Sequence, residues 1–207
     1  MGTNSAHPKV RTLAIDLGGV LFTEGKKAAA ERLKLKFGYD EKVVLGALRS
    51  PLSLDLRRGL VSDDEFWSSV KSALPEGYDA EAIRREWYDG YELNRNVFEL
   101  LTRLSARCRL IAFSGNVKSR VEFLEKKYGF RKLFDLELYS YDYHFTKPDP
   151  GFLDVLLEKC GCESNSLVYV DDDEAALELA AKKGVRTILF DGDAGKLEDE
   201  LKKAGIE

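Results

Sequence analysis

Cysteine and histidine are scarce in this 207-residue chain, with three of the first and two of the second. Cys108, Cys160 and Cys162 cannot all pair with one another, so no disulfide framework is expected. A zinc site takes about four well-placed ligands, and His7 and His144 add too little to build one. Cys160 and Cys162 flank Gly161 and read as small residues at a helix end. No apolar run approaches the ~20 residues that span a bilayer, and Met1 to Lys9 carries no apolar signal region. Positive charge is not in excess either: 32 Lys+Arg against 36 Asp+Glu leave a net charge of −4. That balance disfavours extended binding to nucleic acid. The expectation is a cytoplasmic protein with no membrane or nucleic-acid partner, its oligomeric state left open.

What the chain does have is enough apolar residues for a core, 44% of the total, and a third of its residues charged. Four short apolar runs each end in a polar residue. Leu13-Ala14-Ile15 leads to Asp16, and Leu110-Ile111-Ala112-Phe113 leads to Ser114. Leu167-Val168-Tyr169-Val170 leads to Asp171, and Thr187-Ile188-Leu189-Phe190 leads to Asp191. Continuous runs of this length suit strands covered on both faces, as in a parallel sheet. Helical stripes lie between them: Val121, Leu124 and Tyr128; Phe152, Leu153, Leu156 and Leu157; and a small-residue stretch from Ala175 to Lys183. Phe134, Leu136 and Leu138 alternate with acids and predict one further, one-sided strand. The alternation predicts an α/β fold, a Rossmann-like doubly wound parallel sheet.

One connection is too long for that pattern. About ninety residues separate Asp16 from the strand near Arg109, where a crossover needs only a dozen or more. They hold amphipathic stretches, among them Lys26–Phe37 and Ser62–Ala73. In the second, Ser62 followed by Glu65 has the spacing of a capping box. The spacing predicts an α-helical insertion domain at 24–94, within a core made of 1–23 and 95–207.

Four motifs fall at the predicted carboxyl edge of the sheet, where open α/β folds bind ligands. They are Asp16-Leu17-Gly18-Gly19-Val20-Leu21, Ser114-Gly115-Asn116, Lys147-Pro148-Asp149-Pro150 and Asp171-Asp172-Asp173. Singly, each reads as an ordinary turn or helix cap. Together, with the long helical insertion after the first, they resemble the haloacid dehalogenase-like (HAD) hydrolase superfamily over nearly the whole chain. The segments Arg58–Phe66 and Lys147–Phe152 resemble its phosphatase-type members.

The resemblance implies a Mg²⁺-dependent phosphatase of a small phosphorylated metabolite, with the insertion at 24–94 as its α-helical cap. Asp16 would be the nucleophile, forming an aspartyl-phosphate. Mg²⁺ would be held by Asp16, the Gly18 carbonyl and Asp172, and Asp171 would hold Lys147, the roles of the two adjacent acids being open to exchange. Ser114 and Lys147 would stabilise the phosphoryl group, with the amides of Gly115 and Asn116 completing an anion cradle. Asp173 is expected to face solvent or to cap the following helix. The chain departs from the phosphatase pattern at Gly18, where those enzymes usually place a second Asp as general acid and base. Two alternatives follow: a catalytically silent phosphate- or partner-binding relative, and a 2-haloacid dehalogenase, whose members also lack that Asp. Arg57, Arg58, Trp67 and Trp87 are the candidates by which the cap would select substrate, with a solvated basic pair and core aromatics as their plainer readings. His144 and Glu24 are the candidates to replace the missing acid.

Overall fold

The computed structural model describes residues 12–206, so the expectations for Met1 to Lys9 and His7 lie outside the described residues. The order of elements is β1 (Thr12–Ile15), α1 (Gly25–Phe37), α2 (Glu41–Leu48), α3 (Leu52–Arg57), α4 (Asp63–Ala73), α5 (Ala80–Asp89) and α6 (Arg95–Leu104), followed by β2 (Arg109–Ser114) and α7 (Lys118–Tyr128). The second half continues with β3 (Leu136–Tyr139), α8 (Ser140–Tyr143), α9 (Pro150–Lys159), β4 (Leu167–Asp171), α10 (Glu174–Lys182), β5 (Arg186–Leu189) and α11 (Ala194–Lys203).

The five strands pair in parallel in the order β3-β2-β1-β4-β5. β1 is central and buried at every position, which explains its unbroken apolar run. Its two faces feed two cores. Leu13 and Ile15 pack with the helical insertion and α7, whereas Ala14 packs with Phe113, Phe152 and Tyr169 on the other side. Strand order reverses beside β1, so the carboxyl ends of β1, β2 and β4 open onto one crevice.

Helices α1 to α5 lie between β1 and α6. The two chain segments that lead out to them and back are tied together. Thr23 N donates to Glu92 O at 2.9 Å, Asn94 N donates to Leu21 O at 2.9 Å, and Phe22 bridges Leu93. The capping box forms as its spacing predicts: Glu65 N donates to Ser62 Oγ at 3.2 Å and Ser62 N to Glu65 Oε2 at 2.7 Å. Trp67 and Trp87 are in the core of this helical segment, packed on Phe66. The strand predicted around Phe134 forms two residues later, at Leu136–Tyr139, after a 3-10 turn at Arg131–Leu133. Among the described residues no helix is long and apolar enough to cross a membrane.

Candidate active site

Each side chain of the site is delivered by the end of a strand or the start of a helix. Asp16 follows β1 directly, and its backbone N–H donates to Val170 O across the sheet. Ser114 ends β2 and Asp171 ends β4, in register with the strands around them. Lys147 precedes a helix start that its own motif builds. Pro150 occupies the first turn of α9, where its missing N–H costs nothing, and Asp149 Oδ1 caps the helix by accepting from Gly151 N at 2.8 Å.

Lys147 ties three of these elements together. Its Nζ lies 2.8 Å from Asp16 Oδ1 and 2.5 Å from Asp171 Oδ2, and it donates to Phe113 O at 3.3 Å. Burial alone would lower the lysine, but the carboxylates of Asp16 and Asp171 outweigh it and hold its pKa above the ordinary value. Asp171 is in turn fixed by the Tyr169 hydroxyl, which donates to Oδ2, and by Asp173 N, which donates to Oδ1 at 3.0 Å. Asp173 spends its side chain as the cap of α10, accepting from Ala175 N at 2.9 Å.

Asp16, Asp171 and Asp172 bring carboxylate oxygens within 4.8 Å of one another. Lys147 is one positive charge against three negative ones. Burial, partly offset by Lys147, raises the pKa of Asp16, with Asp171 adding to the rise. Asp172, the exposed member of the three, is pushed up to about 7, first by desolvation and then by Asp16 and Asp171. Asp16 Oδ1 is buried yet makes no well-directed hydrogen bond, even with Lys147 beside it. An all-oxygen donor set with surplus negative charge fits a hard divalent cation.

The loop after β2 is held by its own side chains. Asn116 Nδ2 donates to Ser114 Oγ at 3.3 Å, while Asn116 Oδ1 accepts from Arg120 Nε at 2.8 Å and Nη2 at 2.6 Å. The Asn116 amide, expected in an anion cradle, is engaged within the fold: it donates to Ser140 Oγ at 3.0 Å. Ser140 Oγ donates in turn to Arg57 O at 2.6 Å, which fastens α3 of the helical insertion to this loop.

A cavity of about 450 Å³ joins these groups, with Asp16, Gly18, Gly115, Asn116, Lys147, Asp171 and Asp172 on its wall. Of the residues expected to act on the phosphoryl group or the metal, all but the buried Ser114 line it. Of the four selection candidates only Arg57 does. Neither Arg58 nor His144 lines the cavity, and the two are joined by a contact of 2.8 Å between the Arg58 carbonyl and His144 Nδ1. Glu24 does line it. Sequence reasoning missed Tyr169, Lys26, Tyr91 and Arg120. Tyr169 was within reach, because it stands two residues before Asp171 on one strand and so shares its face. Arg120, only 2% exposed, gave no signal: arginine on a helix is ordinarily read as solvated.

Comparison with known proteins agrees with the fold. The family model of haloacid dehalogenase-like hydrolases matches residues 58–190. An uncharacterized protein of Dictyostelium discoideum is 41% identical over 155 residues, spanning 72% of this chain and 67% of its own. Among solved structures, a HAD family enzyme of Bacteroides thetaiotaomicron superposes with a TM-score of 0.77 at 20% identity, over 89% of this chain and 95% of that one. The same enzyme has been crystallised in complex with magnesium and inorganic phosphate (TM-score 0.75, 21% identity, 89% and 96% covered). The L-2-haloacid dehalogenase of Xanthobacter autotrophicus, with chloropropionic acid covalently bound, superposes at 0.64 with 17% identity, over 96% of this chain and 84% of that one.

Proposed function

The chain belongs to the haloacid dehalogenase-like hydrolases, and we propose that its reaction is the Mg²⁺-dependent hydrolysis of a small phosphorylated metabolite. The observation that carries this reading is the surplus of carboxylate at one point. Asp16, Asp171 and Asp172 converge around the single ammonium of Lys147. Such a cluster suits a divalent cation, and that same cation would cancel the charge of an anionic phosphoryl group approached by a carboxylate.

In this reading Asp16 attacks phosphorus, the ester oxygen leaves with the electron pair of the broken P–O bond, and Asp16 carries the phosphoryl group. Water then attacks phosphorus, phosphate leaves, and the Asp16 carboxylate is restored. Lys147 holds Asp16 in place and, with Ser114, offers positive charge and a donor to the phosphoryl oxygens. Asp171 positions Lys147. Mg²⁺ on Asp16, Asp172 and the Gly18 carbonyl would supply the counter-charge to the phosphoryl oxygens. Gly18 provides no acid for the leaving group, so the departing oxyanion takes its proton from water. Residues 24–94 serve as a cap over the core of 1–23 and 95–207, and the cavity between them suits a metabolite rather than a polymer.

A Mg²⁺-dependent screen across phosphorylated metabolites tests the proposal. Turnover that stops with chelator supports it, while metal and phosphate binding without turnover of any ester favours a silent relative. The bare Gly18 is also what carbon–halogen hydrolysis on Asp16 would tolerate, but that chemistry leaves Asp172 without a use. Activity on a haloacid in the presence of chelator would favour it.

A further inference from the structure

The cavity has a second charged wall. Besides the carboxylates, the basic residues Lys26, Arg57 and Arg120 line it, with Glu24 as the acid from the helical insertion. Among the described residues none of these three has a carboxylate oxygen within 4.0 Å. Their partners are neutral. Arg120 Nη1 donates to the Tyr91 hydroxyl at 2.9 Å, and the guanidinium stacks over Tyr91 at 4.4 Å and Trp87 at 5.2 Å. With Asn116 taking Nε and one Nη2 proton, two of its five N–H donors are left over. Lys26 Nζ lies over the same Trp87 ring at 5.6 Å and makes only long contacts, 3.4 Å to Leu48 O and 3.5 Å to Ser53 Oγ. Arg57 lines the cavity with its backbone carbonyl held by Ser140, and its charge is close enough to act on both Lys26 and Arg120.

Aromatic faces and carbonyls hold a cation in place without neutralising it. Three such cations packed together, one of them buried, repel one another: burial and then Arg57, Arg120 and Arg49 push Lys26 down to about 7. Replacing buried charged groups by apolar ones of similar volume is often neutral or stabilising, so packing alone gives no reason to gather three cations here.

We propose that Lys26, Arg57 and Arg120 form a subsite for a second anionic group, so that the substrate is a phosphate ester that also carries a carboxylate or a second phosphoryl group. The proposal rests on the phosphatase reading above. The phosphate sits against Asp16 and Lys147, and the other anion is held at the far end of the same cavity. Arg57, on α3, lets the helical insertion sense the substrate's far end, while Arg120 joins that end to the Ser114–Asn116 loop.

The test is calorimetric titration of the full-length Mg²⁺-loaded protein with three matched series of increasing chain length: alkylphosphonates, ω-phosphonocarboxylates and α,ω-bisphosphonates. These probes cannot be hydrolysed. At the matching length at least one dianchored series binds about tenfold or more tightly than the alkylphosphonate. Which series does so identifies the second anion. Arg57→Gln and Lys26→Met, each confirmed folded by its melting transition, collapse that preference toward unity. Equal affinity of all three series at every length overturns the subsite while leaving the phosphatase reading standing. A preference that survives both substitutions also overturns it. If no phosphonate of any series binds, the phosphatase reading falls and the subsite with it.

Discussion

The carboxylate of Asp172 occupies the space that a side chain at Gly19 would need. A Cβ built there comes within 1.9 Å of Asp172 Oδ2, and the backbone at Gly19 has φ +86°, a conformation that favours glycine. The double glycine after Asp16 is therefore half explained by geometry. Gly19 lets the acid loop after β4 close over the loop after β1, which brings the second proposed metal ligand to the first.

Gly19→Ala is expected to push Asp172 away from Asp16 without unfolding the sheet. Mg²⁺ affinity falls by about 10–100-fold, the range seen when a metal ligand loses its orientation. Calorimetric Mg²⁺ titration beside the parent protein measures it, and an unchanged affinity would remove Asp172 from the ligand set.

Asp16→Asn is expected to abolish turnover and, without Mg²⁺, to raise the melting temperature. The substitution deletes one of three mutually repelling carboxylates at nearly constant volume, and the charged form of Asp16 is disfavoured by burial and by Asp171. Gain of stability with loss of function is the signature of a strained reactive site. Thermal unfolding in chelator decides whether the sign is right.

The pH dependence follows from Asp172. Its pKa in the fold, about 7, lies above the ordinary 3.8, so the folded state binds a proton the unfolded chain has already lost. Between those two values metal-free stability falls as pH rises, because the unfolded state binds fewer protons. Mg²⁺ needs the ionised form, so its affinity rises over the same window and levels off above about pH 7. Melting curves in chelator and Mg²⁺ titrations from about pH 5 to about pH 8 should therefore show opposite slopes.

Gly18 gives a kinetic prediction. With no acid to protonate the leaving group, aryl and acyl phosphates should be cleaved about 10²–10⁴-fold faster than simple primary alkyl phosphates. A flat dependence on leaving-group pKa would mean another residue supplies the proton. The structure directs that search to Glu24, which lines the cavity, rather than His144, which is bonded to Arg58.

The sheet edge was legible in the sequence because buried parallel strands write unbroken apolar runs, and a polar residue at the end of each marks where the chain emerges. Asp16, Ser114 and Asp171 were found that way. The helical insertion showed as a connection too long to be a crossover, and Ser62 with Glu65 showed where one of its helices starts. What escaped was chemistry that depends on contact across the fold. Arg120 is buried because Asn116, Tyr91 and Trp87 surround it, and nothing local to α7 distinguishes it from a solvated arginine. Trp67 and Trp87, whose plainer reading is core aromatics, do pack into the core of the insertion because their large apolar faces meet Phe66.

The claim that Asp16 carries the phosphoryl group can be measured directly. A single turnover on an aryl phosphate, quenched rapidly in acid and digested, should yield the Asp16-containing peptide heavier by one phosphoryl group, and Asp16→Asn protein should yield none. Release of phosphate at the same rate with no phosphoryl group on Asp16 at any time point would contradict the account.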